Sequence, residues 1–144
     1  MTERMVELDR VVDAPPDRVY RMWADADTMT QWLSNQIDGS LLPGARSVLV
    51  FPRQRIEIDV LEAEPEKLFK FRWNHGGDPP LATEVTVRIQ PKGWGSIVTL
   101  TDGPYDTDEP AQLDAYTESI EIFAAGLAQM RAQVDFSVDL RTRR

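Results

Sequence analysis

His75, the single histidine, lies in the segment Trp73-Asn74-His75-Gly76-Gly77. Histidine alone has an ordinary pKa near neutrality, so at a cavity mouth it can act as a general acid or base. In an exposed loop it need do nothing. Arg72 could hold a carboxylate or an enolate if it pointed inward, but alternation with Phe71 and Trp73 places it on the solvent face. Tyr116 carries a phenol that needs a partner if buried and could orient a ligand oxygen. Glu57 and Asp59 fall on the presumed outer face of a strand, where a carboxylate needs no explanation.

Other chemistries find no support. The chain has no Cys, which removes thiolate nucleophiles, disulfides and cysteine-metal sites together. A zinc site would have to be completed by carboxylates around one histidine, so no metal is expected. No serine stands in a Gly-x-Ser-x-Gly elbow. Gly93-Trp94-Gly95-Ser96 reads as a turn into a strand; no helix or Lys-Ser/Thr follows, so it is not a phosphate loop. These residues commit no catalytic group and imply no cofactor.

The elements that must position these side chains follow from periodicity. Met5 to Asp13 reads as a first strand, stopped by Ala14-Pro15-Pro16-Asp17. A short helix carrying Val19, Tyr20, Met22 and Trp23 follows. Asp25-Ala26-Asp27-Thr28 is a break and a new N-cap, opening a second short helix through Met29, Trp32 and Leu33. From the Leu42-Pro43-Gly44 turn to Asp102 the period is two, with hairpin turns at Glu64-Pro65-Glu66-Lys67 and Pro91-Lys92-Gly93 and a longer loop at Gly76 to Pro80. With the first strand, about six antiparallel strands are predicted.

After Gly103-Pro104 the period returns to 3.6, with Asp106, Thr107 and Asp108 as candidate N-caps. Leu113, Tyr116, Ile120, Phe123, Leu127 and Met130 draw one apolar stripe. The spacing predicts one helix from about Asp108 to Gln133. The whole is an α+β domain covering residues 1–144, with about 134–144 as a loosely packed or extended tail. The cluster Arg141, Arg143 and Arg144 reads as a solvated terminus.

A curved sheet crossed by one straight helix cannot touch it along its whole length, and a gap so formed is a default ligand site. The lining expected from the strands is Val48, Val50, Ile58, Val60, Phe69, Phe71, Trp73, Val85 and Val87. From the helix it is Tyr116, Ile120, Phe123 and Leu127. His75 and Arg72 are the possible polar contacts, and Trp73 is the tryptophan expected to see a ligand.

The formal charge of −8, from 24 acidic against 16 basic residues, argues against a nucleic-acid partner. The N-terminus, MTERMVELDR, has no apolar h-region, and no apolar run approaches the ~20 residues of a membrane span. A cytoplasmic protein, monomer or homodimer, is expected.

Several segments resemble the helix-grip fold of START-related (SRPBCC) domains. The opening Ala14-Pro-Pro-Asp-Arg-Val-Tyr20, then Asp25-Ala-Asp-Thr-Met-Thr-Gln-Trp32, the Pro43-Gly44 turn and Val60-Leu-Glu-Ala-Glu-Pro-Glu-Lys-Leu-Phe-Lys-Phe-Arg-Trp73 stand in that family's order. With the ending Val138-Asp139-Leu140-Arg141, the chain resembles the branch related to the activator of heat-shock-protein-90 ATPase. Many members carry Gly-Trp early in the last helix; here Ile122-Phe123 stands there, keeping an aromatic ring without the indole donor.

The resemblance implies a curved sheet, a long C-terminal helix and a cavity between them. Non-enzymatic binding of a small hydrophobic or amphipathic molecule is the first functional reading. A cyclase- or aromatase-like enzyme acting on a polyketide-type substrate is the second, and would need an inward acid–base pair from Tyr116 with Arg72 or His75. A co-chaperone or stress-response interaction role is the third, although 144 residues leave no room for the additional chaperone-binding domain of the name-giving relative.

Overall fold

The alternating segments pair into seven strands rather than about six. In the computed structural model, which describes residues 1–141, β1 (Glu3–Val12) leads into α1 (Pro16–Ala24) and α2 (Ala26–Met29). There follow β2 (Gln36–Gly39), β3 (Arg46–Val50), β4 (Arg55–Glu64), β5 (Leu68–Gly76), β6 (Leu81–Lys92), β7 (Gly95–Asp106) and α3 (Pro110–Phe136). The strands form one antiparallel sheet in the order β1-β7-β6-β5-β4-β3-β2. The strand missed in the sequence is β2. Its four residues carry one half-buried apolar side chain, Ile37, too little alternation to signal a strand; pairing with Leu49 of β3 makes it one.

The two short helices form where the break signals place them. Pro15 is the N-cap of α1, and the Asp25 carboxylate caps α2 by accepting the Asp27 N–H at 3.0 Å. The Trp32 indole donates to the Met22 carbonyl at 2.7 Å, and its ring meets Trp23 edge-on at 4.6 Å. Both rings are buried.

Helix α3 starts at Pro110, later than expected, and the Glu109 side chain makes no cap. Asp106, a candidate cap, instead accepts the backbone N–H groups of Thr2 and Asp108. Leu113, placed on the apolar stripe by its spacing, is exposed.

Beneath the second half of α3 the gap is full. Phe123 and Leu127 are buried, and Trp73 and Phe123 meet with ring centroids 5.0 Å apart. Ile58, Val60, Phe69, Phe71, Val85 and Val87 are buried in the same core, where the Trp23 ring of α1 lies 6.4 Å from that of Phe71. The inward parity expected for β3 is corrected: Ser47 and Leu49 are buried, while Val48 and Val50 are half-buried on the opposite face. A strand apolar on both faces carries no phase of its own. Its register, which sets Leu49 opposite Ile56 of β4, decides the matter. Gly95, at the start of β7, lies against the Val12 carbonyl, leaving no space for a Cβ.

The C-terminal segment is also corrected. Helix α3 runs through Phe136 and ends on Ser137 in the left-handed region, φ 55°. The buried Gln129 amide then holds the following chain, donating to the Val138 carbonyl at 3.1 Å and accepting the Leu140 N–H at 2.5 Å. Arg141 donates to the Ser34 carbonyl at 3.0 Å. The tail is tied down through Arg141; Arg143 and Arg144 lie outside the described residues.

Candidate functional site

Along α3, one ridge carries Ala111, Ala115 and Ser119, then Phe123 and Leu127, at a spacing of four. Residues so spaced stack on one helix face. Where the ridge is small the helix stands off the sheet, and a cleft of about 700 Å³ opens between its first half and the β5–β6 hairpin. Where the ridge turns large, at Phe123, the gap closes. The cleft is bordered by Ile56, Trp73, Asn74, His75, Leu81, Ala115, Glu118, Ser119 and Ile122, with Gly76 to Pro80 over one side. A smaller groove of about 190 Å³ lies beyond Ile122, against Trp32, Leu33, Phe51 and Gly126.

The polar wall of the cleft is a hydrogen-bonded cluster built by two bulges. In β5, Asn74 pairs with Ala82 and Gly76 with Leu81, leaving His75 as an extra residue. In β7, Tyr105 pairs with Arg4 and Asp102 with Val6, so Met5 alone faces Gly103 and Pro104. That phase change turns both Asp102 and Tyr105 inward. Asp102 Oδ2 accepts the Tyr105 hydroxyl and the Ser119 hydroxyl, each at 2.5 Å. His75 Nε2 lies 3.1 Å from the Tyr105 hydroxyl and 3.0 Å from Thr83 Oγ1, which is itself 3.3 Å from Tyr105. The second Asp102 oxygen is buried without a hydrogen-bond partner among the described residues.

The protons in this cluster run one way. Tyr105 and Ser119 each have one hydroxyl proton, and both are given to Asp102. The 3.1 Å contact between Tyr105 and His75 is then satisfied when Nε2 carries the histidine proton and donates. Nδ1 is left as an acceptor. Burial lowers the His75 pKa below the usual histidine value, opposed by the negative charges of Asp102 and Glu118. Burial also raises the Tyr105 pKa, helped by the charge of Asp102 and the hydrogen bond to it. Near neutral pH the cluster therefore holds a neutral imidazole and a protonated phenol.

Of the thirteen residues expected to line the cavity, only Trp73 borders the cleft. Ile58, Val60, Phe69, Phe71, Val85, Val87, Phe123 and Leu127 are closed packing, and Val48 and Val50 face away. Tyr116 and Ile120 are half-buried against the core, the Tyr116 ring 5.6 Å from that of Tyr105. His75 is at the cleft. Arg72 is not; it points outward, 3.8 Å from Asp59. Trp94 is 96% exposed on the β6–β7 turn.

Sequence reasoning missed Asp102, Tyr105, Thr83 and Ser119. One signal was available: Val98, Leu100 and Asp102 share a parity, so an acid stands in the inward register of a strand. Among the described residues no group of three or more His, Asp or Glu side chains is placed to hold a metal, and no helix is long and apolar enough to cross a membrane.

A curved antiparallel sheet gripped by one long C-terminal helix defines the helix-grip class of SRPBCC-like α+β domains. Within that class the chain belongs to the activator of Hsp90 ATPase homologue 1-like family, whose model matches residues 13–134. Protein MLL2253 from Mesorhizobium loti superposes with a TM-score of 0.78 at 23% identity, covering 95% of this chain and 100% of its own. The Aha1 dimer from Colwellia psychrerythraea gives 0.78 at 15% identity, covering 92% of this chain and 97% of its own. DynU16, from the dynemicin biosynthetic locus, gives 0.77 at 17% identity, covering 94% of this chain and 48% of its own. At these identities the likeness carries the fold alone. No curated protein sequence matches the chain.

Proposed function

We propose that the chain binds a small amphipathic molecule in the cleft between the β5–β6 hairpin and the first half of α3. The observation that carries this reading is the pairing of a cleft of about 700 Å³ with a fixed hydrogen-bonding wall, His75 and Ser119 held by Asp102 and Tyr105. Ligand sites are commonly concave, of this size, and mostly apolar with a few placed polar groups. Trp73, Ile56, Leu81 and Ile122 supply the apolar surface.

Titration with a panel of amphipathic aromatic compounds tests it. Binding should perturb Trp73 fluorescence and raise the melting temperature, as selective binding to the native state requires. A panel that moves neither signal, with Ala115→Trp equally silent, counts against it.

A second reading is a proton-transferring enzyme of the cyclase or aromatase type. It is favoured by the chain of hydrogen bonds from His75 through Tyr105 to Asp102, which would leave Nδ1 free to take a proton and Asp102 to steady the resulting cation. Under it, Tyr105→Phe retains ligand binding while turnover of a polyketide-like substrate falls. Turnover surviving His75→Gln would remove it. Of the two pairings expected for such chemistry, Tyr116 with Arg72 or with His75, the first is not assembled, because Arg72 lies on the outer face. In the second, His75 borders the cleft and Tyr116 does not.

A further inference from the structure

We infer that the ligand of this cleft is an amphipathic cation, an apolar or aromatic body bearing an amine, and not a carboxylate such as a fatty acid. This rests on the cleft being the binding site and names the chemistry that it selects.

The first observation is the sign of the charge around the opening. Asp78, Asp106, Glu109, Asp114 and Glu118 border the cleft, from the β5–β6 loop, the end of β7 and the first turns of α3. Arg55 is the only Lys or Arg among the bordering residues, and its guanidinium is already 3.0 Å from Asp38. A cleft walled on one side by packed apolar side chains concentrates the field of such a rim. An entering carboxylate meets repulsion along the whole approach.

The second observation is independent of the rim and concerns hydrogen-bonding polarity. The hydroxyl protons of Tyr105 and Ser119 are turned inward to Asp102, and His75 gives its Nε2 proton to the same cluster. Of this cluster His75 and Ser119 border the cleft, and what they have left for a ligand is an acceptor, His75 Nδ1. An imidazole nitrogen left as an acceptor suits a ligand that donates. An ammonium group donates three hydrogen bonds and accepts none, whereas a carboxylate only accepts. Trp73, on the apolar side, adds an aromatic ring to the cation's surroundings.

Three probes of one skeleton decide it: 4-phenylbutylamine, 4-phenylbutan-1-ol and 4-phenylbutanoate, titrated by calorimetry at low and at high salt. The amine should bind roughly five- to tenfold tighter than the carboxylate, with the alcohol between, and salt should narrow the gap. In Asp114→Asn/Glu118→Gln the gap between amine and alcohol should shrink. The same charge change made away from the cleft, Glu7→Gln/Asp9→Asn on β1, should leave it as it was. Equal affinities, or a tighter carboxylate, would overturn the inference while leaving the cleft a binding site. If rim and control variants act alike, the preference belongs to the overall charge of −8 and the inference is likewise overturned. If no probe binds, the binding reading falls and takes the inference with it.

Discussion

The two halves of α3 face the same sheet and do opposite things. The half from Phe123 onward closes on it, with Phe123 and Leu127 buried and the Phe123 ring 5.0 Å from that of Trp73. The half before Phe123 presents Ala111, Ala115 and Ser119 and leaves a cleft. The sheet changes to match: β5 passes from Phe69 and Phe71 to Trp73 and His75, and β7 from Val98 and Leu100 to Asp102 and Tyr105. Side-chain volume at one ridge position per turn, and not the curvature of the sheet alone, decides where this fold is solid and where it is hollow.

The closed half should be the sensitive one. Phe123 is fully buried, so Phe123→Ala should cost about 3–5 kcal/mol in denaturant unfolding, the usual range for emptying a packed core site. A much smaller loss would mean that the helix is not closed there.

Next comes the join between the halves. Asp102→Ala leaves the Tyr105 and Ser119 hydroxyls without their acceptor, at about 1–3 kcal/mol for each buried group left unpaired. Tyr105→Phe together with Ser119→Ala removes the donors as well, so added to Asp102→Ala it should cost less than the sum of the separate effects. Additive costs would show that the three do not act as one cluster.

In the open half, Ala115→Trp should project an indole into the cleft and weaken or abolish ligand-induced changes in melting temperature, at a smaller cost in stability than Phe123→Ala because the half-buried Ala115 borders open space. Retained binding would place the ligand elsewhere.

The smallest effect is titration of His75. Its pKa is lower folded than unfolded, so above the ordinary value near 6.5 both states are neutral and no contribution appears. As pH falls through that value the unfolded chain takes up a proton first, and stability is lost. His75→Gln should flatten the stability curve in that window; an unchanged acid slope would contradict the burial of the ring.

Most of the fold was legible because its signals are local. Prolines at 15 and 16 start α1, Asp25 caps α2, and the apolar stripe names α3. The parity of β3 and the short β2 were not legible, because a two-sided apolar strand and a four-residue strand have no phase until a neighbour pairs with them. At the site, Trp73 and His75 could be found in the sequence, but the cluster could not. Asp102 and His75 keep the parity of their strands, but Tyr105 turns inward only because a bulge after Asp102 breaks the very alternation from which strand faces are read. Outside β3, whose parity was reversed, most of the expected strand lining is packed core, with Trp73 at the edge of the cleft: large side chains meeting across a narrow gap make a core.

The claim that the hollow half is the working half is tested most directly by backbone amide NMR of the chain titrated with 4-phenylbutylamine. Shift changes are expected at His75, Gly77, Ala115 and Ser119, with Phe69, Leu127 and Met130 unmoved. Changes centred on Phe69 and Leu127 would put the ligand between the sheet and the closed half of α3, and would contradict that claim.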